Sequence, residues 1–394
     1  MKIDSAVTII LAVVLSIVVG CSPTAKGPSA LNISLDSLKA KYAPDRRVAV
    51  FDINCVQQGN IAVAKGEVDN PRAKEEALAA IRTSLRGEVL DSIRILPDPQ
   101  LGEKKFGIVI PSVGPVRGRP SHYGDLATET MMGMVVKLLK KNGIWYYVQL
   151  PDNYLGWVHE QSLVIATSQG VDSWKNAKKA ITTSYFALVR EQPNNVSVPV
   201  CDVVAGDLMK LNGGASRWIA VETPDGRKGY IEQGHVQEYG QWKRTRSLTA
   251  ENIERTARMF KGVPYIWGGT SPKGMDCSGF TKVVFRLNGL ELSRDADQQS
   301  YQGEPIDAGK DFQNLKKGDL VFFGVKASKE RPENVDHVGI ALGGKRFIHT
   351  PGGRWVKIDS FDPRAPNYNE RLRRIFLRAR RIIGTKLIPE VAHD

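Results

Sequence analysis

Apolar positions along this chain change their spacing, and with it the element they predict. Phe280, Val283, Val284 and Leu287 fall at i, i+3, i+4 and i+7, one stripe of an amphipathic helix that Gly289 stops. Further on, HVGIAL (337–342), the turn Gly343-Gly344-Lys345 and RFIHTPGG (346–353) predict a β-hairpin. With all three turn residues in the loop, Leu342 pairs with Arg346 and Gly339 faces His349, so His337 and His349 share one face. A two-residue loop would flip His349 to the other face. Near the start, RVAVFDINCV, GNIAVAKGEV and VLDSIRIL read as strands and PRAKEEALAAIRTSL as a helix opened by proline. This predicts a small α+β domain over 31–107, in which the sequence offers no chemistry.

The middle of the chain repeats itself. Gly133, Trp145, Val148, Asp152, Gly156 and Trp157 recur as Gly206, Trp218, Val221, Asp225, Gly229 and Tyr230, every pair 73 residues apart. Each copy holds short strands with tight turns, the chemistry and length of a small β-barrel, over 108–166 and 182–240. The copies differ where Asp125 and Tyr154 of the first face Val198 and Arg227 of the second. Only the first copy therefore offers a carboxylate and a phenol together.

At 394 residues the chain has room for two to four domains, and its apolar content is that of folded protein. Its beginning reads as a targeting device: Ala6 to Gly20 is an apolar run too short for a comfortable membrane span, behind Lys2 and ending in VVGC at 18–21. We expect a signal segment over 1–20, lipidation of Cys21, a polar tether over 21–30, and an exported lipoprotein held on a membrane. Without Cys21 three cysteines remain, an odd number that favours at least one free thiol. Cys55 and Cys201 sit in apolar runs and read as strand residues, and a disulfide between them stays open. The net charge is +13, with six arginines between 371 and 381. ERLRRIFLRARRII interleaves them with large apolar residues, as a terminal strand with a solvated basic face does. Polyanionic wall or carboxylate-rich substrate fits this charge in an exported protein better than nucleic acid.

The glycine-rich stretch GVPYIWGGTSPKGMDCSGF (262–280) delivers Cys277 onto the first turn of the helix, where free N–H groups and the helix dipole favour a thiolate. A lone cysteine at a helix start is more often a small buried hydrophobe. Here the loop, the helix start and two histidines on one sheet face occur together, supplying a nucleophile, a base and an orienting group. Zinc is a poor rival, since the six histidines are scattered and neither HExxH nor CxxC occurs. No cofactor is needed.

AxxFxGxPYxWGG, DCSGF, LSRDADQQ, KKGDLVFF, DHVGIAL and FIHTPG follow one another in order, and over 248–382 the chain resembles the NlpC/p60 cysteine peptidases of bacterial cell walls. The two barrels resemble bacterial SH3-like domains. The resemblance implies an α+β multidomain protein with a papain-like catalytic domain, acting on murein stem peptides at the bond from γ-D-glutamate to a diamino acid. It implies Cys277 as nucleophile, His337 as base and His349 as third member. Tyr265 is implied beside the thiolate, and Asp276 and Ser278 on the substrate side. PSHYGDLATETMMG and DNYLGWV resemble the γ-D-glutamyl-L-diamino-acid endopeptidase subgroup, in which the first SH3-like domain helps form the pocket. There Asp125, in place of a more usual Glu, and Tyr154 would hold the free amine of the substrate's L-alanine. Arg294 and Asp295 are implied on the substrate side as well; beside them the subgroup's Ser is replaced by Ala296, so one hydrogen bond to a substrate carboxylate is either missing or supplied by Arg294. The alternatives are a hydrolase of intact murein and a non-catalytic wall-binding lipoprotein.

Overall fold

The computed structural model describes residues 30–385 except 59, 86 and 214–216. Cys21, the signal segment and nearly all of the tether lie outside the described residues. No helix among the described residues is long and apolar enough to cross a membrane. The fold is mixed α+β.

The N-terminal unit is a three-stranded sheet. Phe51–Gln58 pairs antiparallel with Ile61–Val68, which pairs in parallel with Glu88–Ile95 through the crossover helix Pro71–Ser84. Asn70 caps that helix, accepting from Arg72 N at 2.9 Å with Pro71 in the first turn, and Ala73, Ala77, Leu78 and Ile81 form its buried stripe. A helix at Ala30–Tyr42 precedes the sheet and was not expected. Its signal was Leu31, Leu35, Leu38 and Tyr42 at i, i+4, i+7 and i+11, which pack on the same core.

The sequence repeat becomes two sheets of seven strands with one topology. In the first, 106–109, 113–117, 126–131, 135–142, 145–149, 155–159 and 163–166 are strands. The second places its strands 73 residues later, at 179–182 through 236–238, with the same neighbour order. The shared glycines have a packing reason: a Cβ on Gly156 would lie 2.4 Å from Val116 Cγ1, and one on Gly229 2.7 Å from Val189 Cγ1.

The C-terminal domain is a six-stranded antiparallel sheet with the helix Cys277–Leu287 packed on it. Its strands run in the order Glu304–Ile306, Phe376–Arg381, Leu320–Val325, Asn334–Gly343, Arg346–His349, Lys357–Ser360. The arginine-rich segment 370–381 departs from expectation. It begins as the short helix Glu370–Arg374, its strand lies inside the sheet, and four of its six arginines bond to the protein while Arg371 and Arg374 are exposed. Arg381 pairs with Asp319 at 2.7 Å, Arg378 with Glu333, and Arg373 donates to the Phe361 carbonyl. Cys55, Cys201 and Cys277 are all free thiols.

Contacts between the units are specific. Lys282, on the buried side of the helix that starts at Cys277, reaches Asp152 of the first barrel at 2.8 Å, Glu291, and the Leu292 carbonyl at 2.6 Å. Burial pushes the Asp152 carboxyl up, but Lys282 more than reverses this and holds it below its ordinary range. Removing the cation strands two buried carboxylates. Lys282→Met should therefore lower unfolding stability by about 3–5 kcal/mol in urea titrations, although it keeps most of the bulk. A Lys282→Met protein as stable as wild type would show that packing, not charge, holds the joint.

Candidate active site

The helix Cys277–Leu287 begins where it does because Asp276 caps it. The Asp276 carboxylate accepts from Gly279 N at 2.7 Å and, on its other oxygen, from Gly268 N at 3.0 Å, tying the glycine loop to the helix start. Arg294, only 2% exposed, clamps the same carboxylate at 2.5 and 3.2 Å and donates to Ser278 Oγ at 3.0 Å. Asp276 and Ser278 are buried and spent inside this cap. Arg294, expected to reach a substrate carboxylate, commits its two terminal nitrogens there, while its Nε is buried without a hydrogen-bond partner. Gly279 has no alternative, since a Cβ would stand 2.0 Å from the Gly269 carbonyl oxygen.

Sγ of Cys277 lies 3.9 Å from the Asp336 carbonyl oxygen, beside the strand that carries His337. In the hairpin Gly339 faces His349, as expected, but by a different route. Gly343 pairs with Arg346, Gly344 and Lys345 form a two-residue turn with φ of +57° and +67°, and a bulge between Ala341 and Gly343 restores the register that the shorter turn would have flipped. A Cβ on Gly339 would lie 3.1 Å from His349 Cβ, so the glycine does leave the imidazoles room.

Those imidazoles form a relay. His337 Nε2 lies 2.7 Å from His349 Nδ1, and His349 Nε2 lies 3.1 Å from Asp359 Oδ2. Asp359 also takes Asn369 Nδ2 at 2.6 Å and Lys357 Nζ at 2.8 Å. These contacts hold its carboxyl far below the usual carboxylate range although burial works against them. An ionised Asp359 needs the His349 proton on Nε2. His349 Nδ1 must then accept from His337 Nε2–H, which leaves His337 Nδ1 bare as the base. Asp359 was absent from the sequence reading; it stands on the strand next to His349 in a run, KIDS, that belongs to no catalytic motif.

Electrostatics correct one expectation. Burial first, then Asp276, push the Cys277 thiol up to about 12, against the pull of the Val338 N–H, Arg294 and the Ser278 N–H. Burial, His349 and Arg371 drive His337 well below its ordinary value, and burial does the same to His349 against the attraction of Asp359. The resting pair is therefore thiol and neutral imidazole; desolvation at a site 8% exposed outweighs the helix dipole. Burial first, with the Asp276 carboxylate adding to it, raises the Tyr265 phenol to about 12 and keeps it a proton donor.

One end of the cleft is walled by the first barrel. Gly268, φ +81°, lies against the Leu126 backbone, where a Cβ would meet the carbonyl oxygen at 2.0 Å. Thr270 N donates to Glu129 at 2.7 Å, and Glu129 N to Thr270 Oγ1 at 3.2 Å. Tyr154 is buried and its hydroxyl donates to Asp295 at 3.0 Å. Asp125 is exposed one residue before Leu126, without an ion pair to any described residue, and it does not meet Tyr154 directly. The N-terminal unit joins in, against expectation. Arg47 bonds Asp295 at 2.9 Å, Asp297 at 2.7 Å and Asp45 at 2.8 Å, while its carbonyl accepts from Leu155 N at 2.8 Å. Nothing in APDRRV distinguishes Arg47 from a surface arginine. Among the described residues no three His, Cys, Asp or Glu side chains gather as a metal site.

The family model described as NlpC/P60 matches residues 262–374, the span that holds all of Cys277, His337, His349 and Asp359. The catalytic domain belongs to the NlpC/P60 cysteine peptidase family. A model for the bacterial dipeptidyl-peptidase SH3 domain matches 116–163, the first barrel. The chain is 28% identical over 239 residues to a γ-D-glutamyl-L-lysine dipeptidyl-peptidase of Bacillus cereus, covering 59% of this chain and 69% of that protein. It is 27% identical over 272 residues to dipeptidyl-peptidase 6 of Lysinibacillus sphaericus, covering 67% and 95%. Its fold resembles the crystal structure of an NlpC/P60 family protein from Bacillus cereus, with a TM-score of 0.59 at 24% identity over 70% of this chain and 99% of that one.

Three expected outcomes follow from the NlpC/P60 site. Cys277→Ala and His337→Ala should each lower kcat by roughly 10⁴-fold or more without unfolding the chain, whereas Asp359→Asn, which upsets the tautomer at one remove, should cost less than His337→Ala. A folded Cys277→Ala protein that turns over would exclude this nucleophile. In pH, a base with a depressed pKa protonates only at lower pH, so the acid limb of kcat/KM should lie well below 6.5, the ordinary imidazole value. A thiol raised to about 12 should gain iodoacetamide reactivity roughly tenfold per pH unit from 7 to 11. A reactivity plateau already reached at neutral pH would instead mean a resting thiolate.

Proposed function

We propose that the protein hydrolyses the bond from γ-D-glutamate to the diamino acid in murein stem peptides already freed from glycan and bearing an unblocked L-alanine. His337 Nδ1 takes the thiol proton as Cys277 Sγ attacks the γ-glutamyl carbonyl. The first-turn N–H groups and Tyr265 face the developing oxyanion. The imidazolium returns its proton to the leaving amine, and water, activated by the same nitrogen, releases the glutamyl product from the thioester. The names of the two relatives support the peptide class. Export as a lipoprotein through Cys21 is part of the same proposal, resting on the sequence of the first 21 residues.

One observation carries the free-peptide reading: the first barrel stands directly on the nucleophile loop, with the Leu126 carbonyl over Gly268. A substrate whose L-alanine nitrogen carries muramic acid would have to pass a sugar through this wall. Asp125, beside Leu126 and without an ion-pair partner among the described residues, is our choice to meet the free ammonium. In intact murein that nitrogen is an uncharged amide and the charge-assisted bond is lost.

A pair of L-Ala-γ-D-Glu-diamino-acid peptides, one free and one N-acetylated, tests this on wild type and Asp125→Ala. We expect the acetylated peptide to lose on the order of 10² to 10⁴ in kcat/KM on wild type, and much less on Asp125→Ala. Equal rates on wild type would move the enzyme to intact wall. Discrimination that survives in Asp125→Ala would keep the substrate class and discard this residue.

A further inference from the structure

Away from the catalytic cleft, a cavity of about 570 Å³ opens where the two barrels, their connecting helix Ser168–Asn176 and the far end of the nucleophile helix meet. Its walls mix polar groups with apolar side chains, Met131, Trp174, Ile181, Leu208, Trp242 and Leu287 among the latter. Into this setting the nucleophile helix places Arg286, which is 7% exposed. Its Nη2 has no hydrogen-bond partner, and no carboxylate among the described residues lies within ion-pair distance of its guanidinium.

The acids nearby do not answer it. Asp207 stands close enough for Arg286 to pull its carboxyl down, but it makes no ion pair with Arg286: its two oxygens are taken by Val204 N at 2.8 Å and Met132 N at 3.1 Å, and burial holds the carboxyl well above the usual range. The Glu238 carboxylate is taken by Gly240 N at 2.8 Å and Gln241 N at 2.7 Å, capping the helix Tyr239–Thr245. The remaining charged groups of the lining add cations. Lys179 gives two of its protons to the Lys175 and Ala177 carbonyls, at 2.7 and 2.9 Å, and Lys243 stands exposed at the rim. A buried cation without a partner is a large cost to leave in a native fold. An anion that enters the cavity removes that cost.

We propose that this cavity binds a small organic anion, a carboxylate on an apolar body, with its head on Arg286 and its body against the tryptophans. The volume lies in the range of small-molecule sites, and apolar wall combined with a few convergent polar groups is their usual make-up. Arg286 shares its helix with Cys277, so the ligand would join both barrels to the far end of the helix whose start carries the nucleophile.

Calorimetric titration of the full chain tests the site with 4-phenylbutyrate and its uncharged amide. The carboxylate is expected to bind roughly tenfold or more tighter than the amide, the return of one charge-assisted bond. Arg286→Met should abolish that preference and raise the melting temperature of the ligand-free chain, because it replaces an unpaired buried cation by an apolar side chain of similar length. Lys243→Glu, an exposed change, should weaken the carboxylate several-fold and leave the amide unaffected. Equal affinity for both probes, binding of neither, or a preference that survives in Arg286→Met would each overturn the proposal. Should Arg286→Met fail to fold, unchanged carboxylate affinity in Lys243→Glu would overturn it as well.

Discussion

The pairing of Arg294 with Asp276 is the contact on which the catalytic geometry depends. Two buried ions are expensive unless their remaining hydrogen-bonding capacity is used, and here both Asp276 oxygens and both terminal nitrogens of Arg294 are bonded, leaving Arg294 Nε without a partner. Asp276 holds the first turn of the nucleophile helix and the glycine loop together; Arg294 holds Asp276 and Ser278. The nucleophile thus owes its position to a charge network. Apolar packing alone would fix the helix against the sheet but leave its first turn free to fray.

That network continues across domain boundaries. Asp295, next in the chain to Arg294, takes Tyr154 from the first barrel and Arg47 from the N-terminal unit. The barrel is held a second time by Lys282 on Asp152. Two domains whose own cores carry no reacting groups therefore set the shape of one end of the cleft. The cleft is a composite whose position relative to the barrel is fixed by at least two partly or fully buried charged contacts.

How much of this was legible follows from what each feature requires. The helix at 277–287 and the repeat were readable because periodicity reports which face is buried. The placement of His337 against His349 was readable because Gly339 is the one residue between them without a side chain. The turn itself was not, since a bulge at Leu342 exchanges a three-residue loop for a two-residue one without changing the outcome, and no local pattern marks bulges. Asp359 and Arg47 were illegible for a different reason. Arg47 matters through Asp295 and Asp297, far off in the sequence, and Asp359 through the cross-strand pairing that sets it beside His349, while each sits in a stretch whose local pattern is satisfied by an ordinary strand or loop. The C-terminal arginines misled because alternation of charged and apolar residues describes a solvated face and a face of buried ion pairs equally well.

The burial that makes the site a composite also sets its chemistry. A cysteine at a helix start in open solvent would be favoured as a thiolate, and a histidine pair there would titrate near its ordinary value. Enclosure reverses both, so the resting site carries no net charge on Cys277 or His337. Charge then has to be created during the reaction, when Sγ loses its proton to a base whose tautomer Asp359 has already fixed through His349. An uncharged resting nucleophile is protected from adventitious electrophiles, and it becomes reactive only when a carbonyl is placed beside it. The water that would otherwise stabilise a thiolate is kept out by the domain's own core, in which Cys277 is buried together with Phe280, Val338 and Ile348. The dormancy of the nucleophile thus has one physical origin, the desolvation that comes with its place at the edge of that core.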